Sequence, residues 1–356
     1  MSLTLQDLIL KALSAVRLPG TLTGVDVVPR ISGLAMREAP EGAHVTFAIE
    51  VDPAEGPAFE PLRYSTEKCI RDLPGVATAS VVLTAHKQAP PLKAKHREKL
   101  SLPNVKRIIA VASGKGGVGK STTSVNLAVA FMQNGLKAGL LDADIYGPSI
   151  PRLLNLSGRP ASGEDKKLVP VERYGLRAMS MGFLIPEDSP MIWRGPMVHT
   201  AITQLFRDVD WGTLDVLVVD LPPGTGDAQM TMALQVPLSG AIIVSTPQDI
   251  ALIDARKGLL MFRKMEVPVL GLIENMSYFA CPHCGERSHV FGHGGARAEA
   301  DKLGVPFLGE MPLDIAIRET SDAGEPITIR DKEGVLSLRY RAMAQAVWDG
   351  LEAVPA

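Results

Sequence analysis

Two cysteines near the C-terminal third of the chain are spaced for metal binding. Cys281 and Cys284 lie in the segment ACPHCGE (280–286), separated by two residues, so both thiolates can face one ion or cluster. A closed zinc or iron-sulfur centre usually takes about four protein ligands, often thiolates. The chain contains 3 cysteines in all. The remaining ligands therefore come either from nearby histidines or from the cysteine pair of a second copy of the chain.

Both ways of completing this site are chemically reasonable. Cys281, Cys284, His289 and His293 form a C-x2-C-x4-H-x3-H pattern, which is compact enough for a zinc knuckle within one chain. The glycines around His293 in FGHGG favour a tight turn, and His289 suits the surface of a polar loop. In the alternative, a two-fold dimer brings together four thiolates, which could hold zinc or an iron-sulfur cluster.

A glycine-rich loop indicates a phosphate site. GKGGVGKST (114–122) follows the apolar run RIIAVAS and precedes the helical stretch STTSVNLAVAFMQNG, which is the strand-loop-helix setting of a G-x-x-x-x-G-K-S motif. Backbone amides and the helix N-terminus attract phosphate, Lys120 reaches the outer phosphates, and Ser121 can ligate magnesium. The nucleotide-binding residues predicted in this loop, here called the P-loop, are Gly114, Gly116, Gly117, Val118, Gly119, Lys120, Ser121 and Thr122.

Carboxylates follow two later strands, where this architecture places them. VVDLPPG puts Asp220 in the position of a magnesium-shell aspartate, and Gly224 where a backbone amide could meet the γ-phosphate. LLDADIYGPS offers Asp142 and Asp144. Because no glutamine directly follows the DLPPG element, we predict that Asp144 orients the attacking water, with an ordinary capping role as the alternative.

The base of the nucleotide is predicted to be adenine. Guanine-specific P-loop proteins usually carry N-K-x-D or T-K-x-D late in the fold, and neither tetrapeptide occurs in this chain. Asn275 in IENMS ends a late strand, so it could hydrogen-bond the base edge. A structural role in the loop is the alternative for this asparagine. The expected ligands are therefore ATP and Mg²⁺.

Short, wholly apolar strands must position these groups. From Val105 onward the runs RIIAVAS, KAGLLDAD, LDVLVVDL, GAIIVST and PVLGLIEN alternate with longer helical segments. Strands of this kind are buried on both faces, in a mostly parallel sheet flanked by helices. The loops at their C-terminal ends then build the site. The predicted fold class is α/β, a P-loop NTPase.

A second, smaller domain precedes this one. Residues 1–86 are predicted to form helix, strand, strand, helix, strand, a small α+β domain. Residues 87–104 combine prolines with basic side chains, typical of an exposed linker, and 105–356 form the P-loop domain with its cysteine pair. Cys69 shares one helical face with Phe59, Leu62, Ile70 and Leu73, so we expect it in the core rather than at a ligand site.

Composition excludes several partner classes. The formal net charge of −2 provides no general attraction to nucleic acid or anionic lipid. No apolar run approaches the roughly 20 residues of a membrane span. The N-terminal 20 residues are patterned as a folded helix rather than a signal peptide. Few cysteines and no export signal predict a cytoplasmic protein, with neither nucleic acid nor membrane as a partner.

Lys115 is a second lysine in the P-loop. It either adds positive charge or reaches the nucleotide of a neighbouring subunit. KGGVGKST resembles the deviant Walker A motif of MinD, ParA and the nitrogenase iron protein, whose early lysine acts across a face-to-face dimer. Within that group, DADIYGPSIP, MIWRGPM, DLPPGTGDAQMT, STPQDIALIDARKG and ENMSYFACPHCGERSHVFGHGG resemble the Mrp/ApbC iron-sulfur cluster carriers over essentially the whole chain.

The resemblance implies a homodimeric ATPase that binds a 4Fe-4S cluster through Cys281 and Cys284 and hands it to apo iron-sulfur proteins. Cluster-assembly scaffolds are further expected partners, and residues 1–86 resemble the assembly domain fused to bacterial members. Nucleotide roles carry over to Lys115, Lys120, Ser121, Asp144 and Asp220. The resemblance assigns no role to Trp193 and Arg194 of WRGPM, which either pack the fold or take part in a switch.

Two other functions stay open from the sequence. A MinD/ParA-like positioning ATPase with a structural zinc site would need a basic amphipathic tail. The C-terminal segment 335–356 instead offsets Arg339 and Arg341 with Asp349 and Glu352, so surface binding is poorly supported. A redox ATPase like the nitrogenase iron protein has cluster cysteines far apart in sequence. A close, accessible pair is better suited to releasing a whole cluster.

Overall fold

The computed structural model describes residues 5–15, 31–51, 56–84, 100, 102–163, 167–184 and 195–352. Contacts within the chain divide it into two compact units, Met1–Lys95 and His96–Ala356, here called the N-terminal and C-terminal units. Most of the predicted 87–104 linker lies outside the described residues. Trp193 and Arg194 lie outside them as well.

The N-terminal unit has an α+β fold in the predicted element order. Strand β2 is central, antiparallel to β1 and parallel to β3, so helix α2 serves as the crossover between two parallel strands. Alternate residues of β2, including Val45, Phe47 and Ile49, are buried against the helices, because successive strand side chains point to opposite faces. The elements are α1 (Leu5–Ala15), β1 (Ile31–Ala39), β2 (Gly42–Glu50), α2 (Gly56–Arg71) and β3 (Val76–Thr84).

Cys69 departs from the expectation that it is a core residue. Helix α2 buries Leu62, Thr66 and Ile70, which follow one another at four-residue intervals along its inner face. Cys69 falls beside this line and is only partly buried. Its thiol therefore sits at the rim of the hydrophobic core of this unit rather than inside it.

The C-terminal unit is built on strands that alternate with helices. The strands are β4 (Val105–Ser113), β5 (Ala138–Asp142), β6 (Val171–Arg173), β7 (Leu176–Ser180), β8 (Leu214–Asp220), β9 (Gly240–Ser245), β10 (Val269–Glu274), β11 (Phe279–Ala280), β12 (Arg287–Ser288) and β13 (Phe307–Glu310). The helices are α3 (Lys120–Gln133), α4 (Ile150–Leu153), α5 (Gly195–Arg207), α6 (Asp227–Gln235), α7 (Asp249–Lys264), α8 (Gly295–Leu303), α9 (Ile315–Ala323), α10 (Ile327–Arg330) and α11 (Val335–Glu352). A short 3₁₀ helix spans Met181–Phe183.

Eight of these strands form one sheet in the order β13-β10-β9-β4-β8-β5-β7-β6. Every pairing is parallel except β6 with β7, at the edge. All residues of β5 and β9 are buried, because hydrophobic clusters cover both faces of the sheet. The predicted α/β P-loop fold with a mostly parallel sheet is confirmed.

The parallel arrangement collects polar strand ends at one edge of the sheet. Ser113, Asp142, Asp220, Ser245 and Glu274 are the last residues of β4, β5, β8, β9 and β10, and all are buried. These strands are neighbours in the sheet, so their C-terminal ends lie side by side. The predicted site residue Asp220 is one of these last residues, and the predicted residues Asp144 and Asn275 follow β5 and β10 within two residues at the same edge.

Helix α3 continues directly from the P-loop into the hydrophobic interior. Thr123 to Phe131 are buried along it, and α11 packs against it with Tyr340 and Met343. The hydroxyl of Thr123 donates to the Gly119 carbonyl at 2.9 Å, which ties the end of the P-loop to the first turn. In the part of the chain that the structure describes, no helix has both the length and the apolar character needed to cross a membrane.

Candidate nucleotide site and cysteine hairpin

The glycines of the P-loop are required by its conformation and its neighbours. Gly117 and Gly119 adopt φ values of 79° and 80°, a left-handed conformation that strains residues with a β-carbon. A β-carbon at Gly119 would also overlap the Asn275 side chain, and one at Gly114 would overlap the α7 backbone at Asp254. The loop therefore has its shape because glycine alone fits these positions.

Lys120, Asp220 and Ser121 converge just beyond the P-loop. The Lys120 ammonium lies 2.8 Å from Asp220 Oδ2 and 3.8 Å from Asp144 Oδ2. The Ser121 hydroxyl donates to Asp220 Oδ2 at 2.6 Å, and the Ser124 hydroxyl donates to Asp220 Oδ1 at 2.7 Å. Asp220 is fully buried, so these three donors together compensate its lost hydration.

Ser124 is a site residue that the sequence analysis missed. It lies three residues after Ser121, on the same face of helix α3, and its hydroxyl also donates to the Lys120 carbonyl at 3.0 Å. A second small hydroxyl one turn after the motif serine was the available signal. Its role in the structure is to hold the Asp220 carboxylate from the side opposite Ser121.

Asp142 and Asp144 have different tasks at the end of β5. Asp142 is fully buried and accepts from the backbone amides of Asp144 and Ile150, both at 3.1 Å, and from the Ser180 hydroxyl at 3.0 Å. Burial and the nearby charge of Asp220 raise the pKa of Asp142 to about 7. Asp142 therefore organises the turn that presents Asp144.

Asp144 faces the nucleotide site from that turn. Its side chain lies beside Lys120 and accepts from the Gly147 amide at 3.3 Å. Burial raises the pKa of Asp144, while the positive charge of Lys120 acts in the opposite direction. Asp144 is thus a carboxylate in a low-dielectric position next to the P-loop, where it can accept a hydrogen bond from water.

Lys115 and Asn275 both make contacts within the chain. The Lys115 ammonium donates to Gln248 Oε1 at 3.3 Å, at the residue that precedes helix α7. The Asn275 side-chain amide donates to the Val118 carbonyl at 2.8 Å, and its backbone amide donates to the Ser245 carbonyl at 2.7 Å. These contacts support the structural alternative for Asn275, and its contact with adenine stays a prediction.

Gly224 differs from the expectation drawn from DLPPG. Its φ of 98° is the left-handed conformation that favours glycine. Its amide donates to the Ser113 carbonyl at 2.9 Å rather than facing the P-loop. An encounter between this amide and a γ-phosphate would require that hydrogen bond to break.

Two adjoining cavities open beside these groups. The first, which we call the phosphate cavity, is lined by Ser113, Lys115, Gly116, Gly117, Gly119, Lys120, Ser121, Thr122, Asp144, Ser149, Leu153 and Pro223. The second, which we call the outer cavity, is lined by Asp144, Tyr146, Gly147, Pro222, Pro223, Gly226 and Gln229. Asp144 and Pro223 belong to both, so they mark the boundary between the cavities.

The cysteine pair lies at the tip of a short hairpin. Strands β11 and β12 pair antiparallel, the Cys281 amide donates to the Glu286 carbonyl at 2.9 Å, and the Gly285 amide donates to the Cys281 carbonyl at 2.8 Å. The pKa of Cys281 is lowered because its sulfur accepts hydrogen bonds, the strongest effects coming from the backbone amides of Cys284 and His283 and a further one from the Cys284 thiol. Cys284 is exposed and Cys281 partly so. Residues 279–288, the cysteine hairpin, thus present adjacent, accessible thiols.

The two histidines of the predicted zinc knuckle do not join the cysteines. The rings of His289 and His293 contact each other with centroids 4.5 Å apart, and His293 Nε2 lies 3.1 Å from Glu310 Oε2. Within the described residues, the donor side chains close enough to share one ion are Glu274, His293 and Glu310. The structure therefore does not assemble the four-ligand set of the single-chain alternative.

Glu274 has a structural explanation in this cluster. Its carboxylate is fully buried and accepts from the Gly294 amide at 2.9 Å and the Ala296 amide at 2.7 Å, so it satisfies the N-terminus of helix α8. The Ser277 hydroxyl donates to the same carboxylate at 2.6 Å. The adjacent Asn275 holds the P-loop. One strand end therefore holds the P-loop at Val118 and the segments on either side of the cysteine hairpin at Ser277 and Gly294.

Comparison with known proteins agrees with this geometry. The family model described as ParA, NUBPL iron-transfer P-loop NTPase, matches residues 104–348. An Arabidopsis thaliana protein named "Iron-sulfur protein required for NADH dehydrogenase, mitochondrial" is 55% identical over 71% of this chain and 82% of its own length. The "Iron-sulfur cluster carrier protein" of Synechocystis sp. is 46% identical over 86% of this chain and 87% of its own length.

A solved structure extends the comparison to the fold. The nucleotide-binding protein from Archaeoglobus fulgidus in complex with ADP superposes with a TM-score of 0.57 and 41% sequence identity, covering 65% of this chain and 90% of its own. The resemblance to iron-sulfur cluster carriers with a deviant Walker A motif is confirmed. On the family model, the level of identity and the P-loop geometry together, the chain belongs to the ParA/NUBPL family of iron-transfer P-loop NTPases.

Proposed function

We propose that the protein is an ATP-dependent carrier that binds a 4Fe-4S cluster between the cysteine hairpins of two copies and transfers it to apo-proteins. The observation that carries this proposal is the pair of adjacent, accessible thiols of Cys281 and Cys284 in a chain that also contains a P-loop. A thiolate pair at a hairpin tip completes a four-thiolate site when a two-fold axis brings a second pair to it. The relatives named as iron-sulfur cluster carriers support this assignment.

The nucleotide half of the function follows from the P-loop region. In this proposal Lys120 neutralises the outer phosphates and Asp144 accepts a hydrogen bond from the attacking water, which their shared position at the phosphate cavity supports. A Mg²⁺ ion fits the Ser121 hydroxyl and the Asp220 carboxylate, which are hard oxygen donors 2.6 Å apart of the kind that this ion prefers. When bound, Mg²⁺ would supply positive charge that offsets the negative charge of the phosphates.

Lys115 links the two halves of the proposal. In a face-to-face dimer it would leave Gln248 and approach the nucleotide of the partner subunit, so that ATP binding and assembly of the four-thiolate site favour the same dimer. Lys115 lies at the edge of the phosphate cavity and is only partly buried, which is compatible with such a move. Homodimerisation is therefore part of the proposed function.

The N-terminal domain and the partners are assigned on sequence grounds. We propose that residues 1–86 are an assembly-like domain and that the partners of the protein are cluster-assembly scaffolds and apo iron-sulfur proteins. The cytoplasm is the proposed compartment. The α+β fold and separate hydrophobic core of this unit support treating it as a domain of its own.

Anaerobic reconstitution with iron and sulfide tests the carrier function. We expect about two iron atoms per chain, since one cluster is shared by two chains, and loss of the brown colour in Cys281→Ala and Cys284→Ala. Cys69→Ala is the matched control and should retain the cluster, because Cys69 lies in the other unit. His289→Ala and His293→Ala should also retain it. A colourless protein holding one zinc per monomer would contradict the proposal.

A further inference from the structure

Gln229 is a buried glutamine on the first turn of helix α6. It lies nine residues after Asp220 and is 1% exposed. Its side-chain nitrogen donates to the Pro222 carbonyl. Since the amide nitrogen donates and the amide oxygen cannot, this hydrogen bond determines which way the amide faces. The oxygen therefore points away from Pro222.

The Gln229 side-chain oxygen has no hydrogen-bond donor among the residues that the structure describes. Buried acceptors are almost always paired, and an exception at a cleft calls for a functional explanation. Here the nitrogen is held in place while the oxygen is left available. The hydrogen bond of the nitrogen thus fixes the orientation of the side-chain oxygen, which remains a free acceptor among the described residues.

The position of Gln229 suggests what that acceptor receives. Gln229 lines the outer cavity together with Asp144, Pro222 and Pro223, and that cavity meets the phosphate cavity at Asp144 and Pro223. The volume of the outer cavity is about 600 Å³, whereas one water occupies roughly 30 Å³ in the liquid. The outer cavity, which both Gln229 and Asp144 line, is therefore large enough to hold water.

We propose that Gln229 is a catalytic residue that, together with Asp144, orients the water that attacks the γ-phosphate. The Gln229 oxygen accepts a hydrogen bond from one O–H of the water, and the Asp144 carboxylate accepts a hydrogen bond from the other O–H. Together these two hydrogen bonds direct a lone pair of the water oxygen at the γ-phosphorus. The new bond joins water oxygen to the γ-phosphorus, and the bond to the bridging oxygen breaks with its electron pair remaining on ADP. One water proton stays on inorganic phosphate and the other is released. The inference rests on the proposed ATPase function.

The contrasting explanation is purely structural. In that case Gln229 only staples the DLPPG turn through Pro222, and its loss would weaken every nucleotide-bound state by a similar factor. A residue that positions the attacking water acts mainly in the transition state. The two explanations are therefore separated by comparing mimics of the ground state and of the transition state.

The test uses Gln229→Met in the full-length protein, which keeps the side-chain length and removes the amide. We expect kcat for ATP hydrolysis to fall by about tenfold to a hundredfold, with KM and the affinity for ADP–beryllium fluoride within twofold of native. The affinity for ADP–aluminium fluoride, which includes the in-line water, should weaken by a factor similar to that in kcat. Gln235→Met, on the same helix, is the matched control and should hydrolyse ATP at the native rate.

Two results would overturn the inference. One is native kcat in Gln229→Met. The other is equal weakening of both fluoride complexes, which would assign Gln229 to the structural staple. Should Gln229→Met fail to fold, Gln229→Asn keeps an amide but retracts it by one methylene, and it carries the same expectation. Failure of the proposed ATPase function looks different, because native protein and Lys120→Ala would then release phosphate at the same background rate.

Discussion

At the scale of single residues, Lys120 combines a proposed role in nucleotide binding with an observed structural contact. Its side chain is 6% exposed, and the ammonium lies 2.8 Å from the fully buried Asp220 carboxylate. Removing one partner of a buried pair leaves the other charge uncompensated. The hydroxyls of Ser121 and Ser124 remain as donors to Asp220, so they soften this loss without replacing the positive charge.

We therefore expect Lys120→Ala to abolish ATP turnover and to lower the free energy of unfolding by about 3 kcal/mol. Phosphate release and urea unfolding measure the two effects. The matched control is Lys106→Ala, which removes an exposed lysine paired with Asp215 at 2.7 Å and should cost less than about 1 kcal/mol. Equal destabilisation by the two substitutions would contradict the role of Lys120 as the counter-ion of Asp220.

The raised pKa of Asp142 predicts how the stability of the protein depends on pH. Burial and the charge of Asp220 raise its pKa from 3.8 to about 7 in the folded protein, so the folded state holds this proton more tightly than the unfolded state. The contribution of Asp142 to stability is full below its unfolded pKa and is lost as pH rises from about 4 towards 7. In EDTA, Tm of Asp142→Asn minus Tm of the native protein should therefore become more positive between pH 5 and pH 8. A difference independent of pH would show that Asp142 titrates normally.

At the scale of elements, uniformly apolar strands and the P-loop were predictable because their signals are local. RIIAVAS and LDVLVVDL carry their own burial pattern, and the glycines report a backbone shape directly. What could not be predicted depends on how side chains are oriented and packed once the elements have folded. Glu274 caps helix α8, Gln229 is anchored to Pro222, and Cys69 falls beside the buried line of α2. For the two histidines the C-x2-C-x4-H-x3-H spacing did not reveal that their rings contact each other and that His293 pairs with Glu310.

The end of strand β10 connects the two sites, and this connection is testable. Asn275 holds the P-loop at Val118, while Glu274, the residue before it, holds the start of helix α8 beyond the cysteine hairpin. We expect ADP to slow alkylation of Cys281 and Cys284 in the apo-protein by about twofold or more, since ordering the loop also orders the strand end.

Asn275→Ala should lose this ADP-dependent change when measured at saturating ADP, with affinity for ADP weakened about fivefold by loss of one hydrogen bond. Alkylation of each thiol is followed by mass spectrometry, and Cys69 in the N-terminal unit serves as the internal reference. Asn134→Ala, whose side chain contacts Arg341 at the far end of α3, is the matched control. Retention of the full ADP response in Asn275→Ala would show that coupling takes another route.

At the scale of the whole molecule, the proposed site is incomplete in one chain in two independent ways. The cysteine hairpin supplies two thiolates where a cluster usually takes about four. Lys115 is a second lysine in a loop in which Lys120 is already assigned to the phosphates of the same chain. A two-fold dimer resolves both, since each copy then gives its partner a thiolate pair and a lysine. The two requirements concern different loops, so a dimer that satisfies one need not satisfy the other. A single dimer that satisfies both the thiolate requirement and the lysine requirement would therefore support the proposed function.

Mixing two inactive variants tests whether Lys115 acts on the partner's nucleotide. Lys115→Ala and Asp144→Asn should each hydrolyse ATP very slowly alone. In a mixed dimer, the site on the Lys115→Ala chain keeps its own Asp144 and receives Lys115 from the other chain, so it is complete, whereas the second site lacks both groups. Random pairing at equal concentration should then restore about one quarter of native turnover. A lysine acting within its own chain predicts no recovery, because every site in the mixture would lack either Lys115 or Asp144.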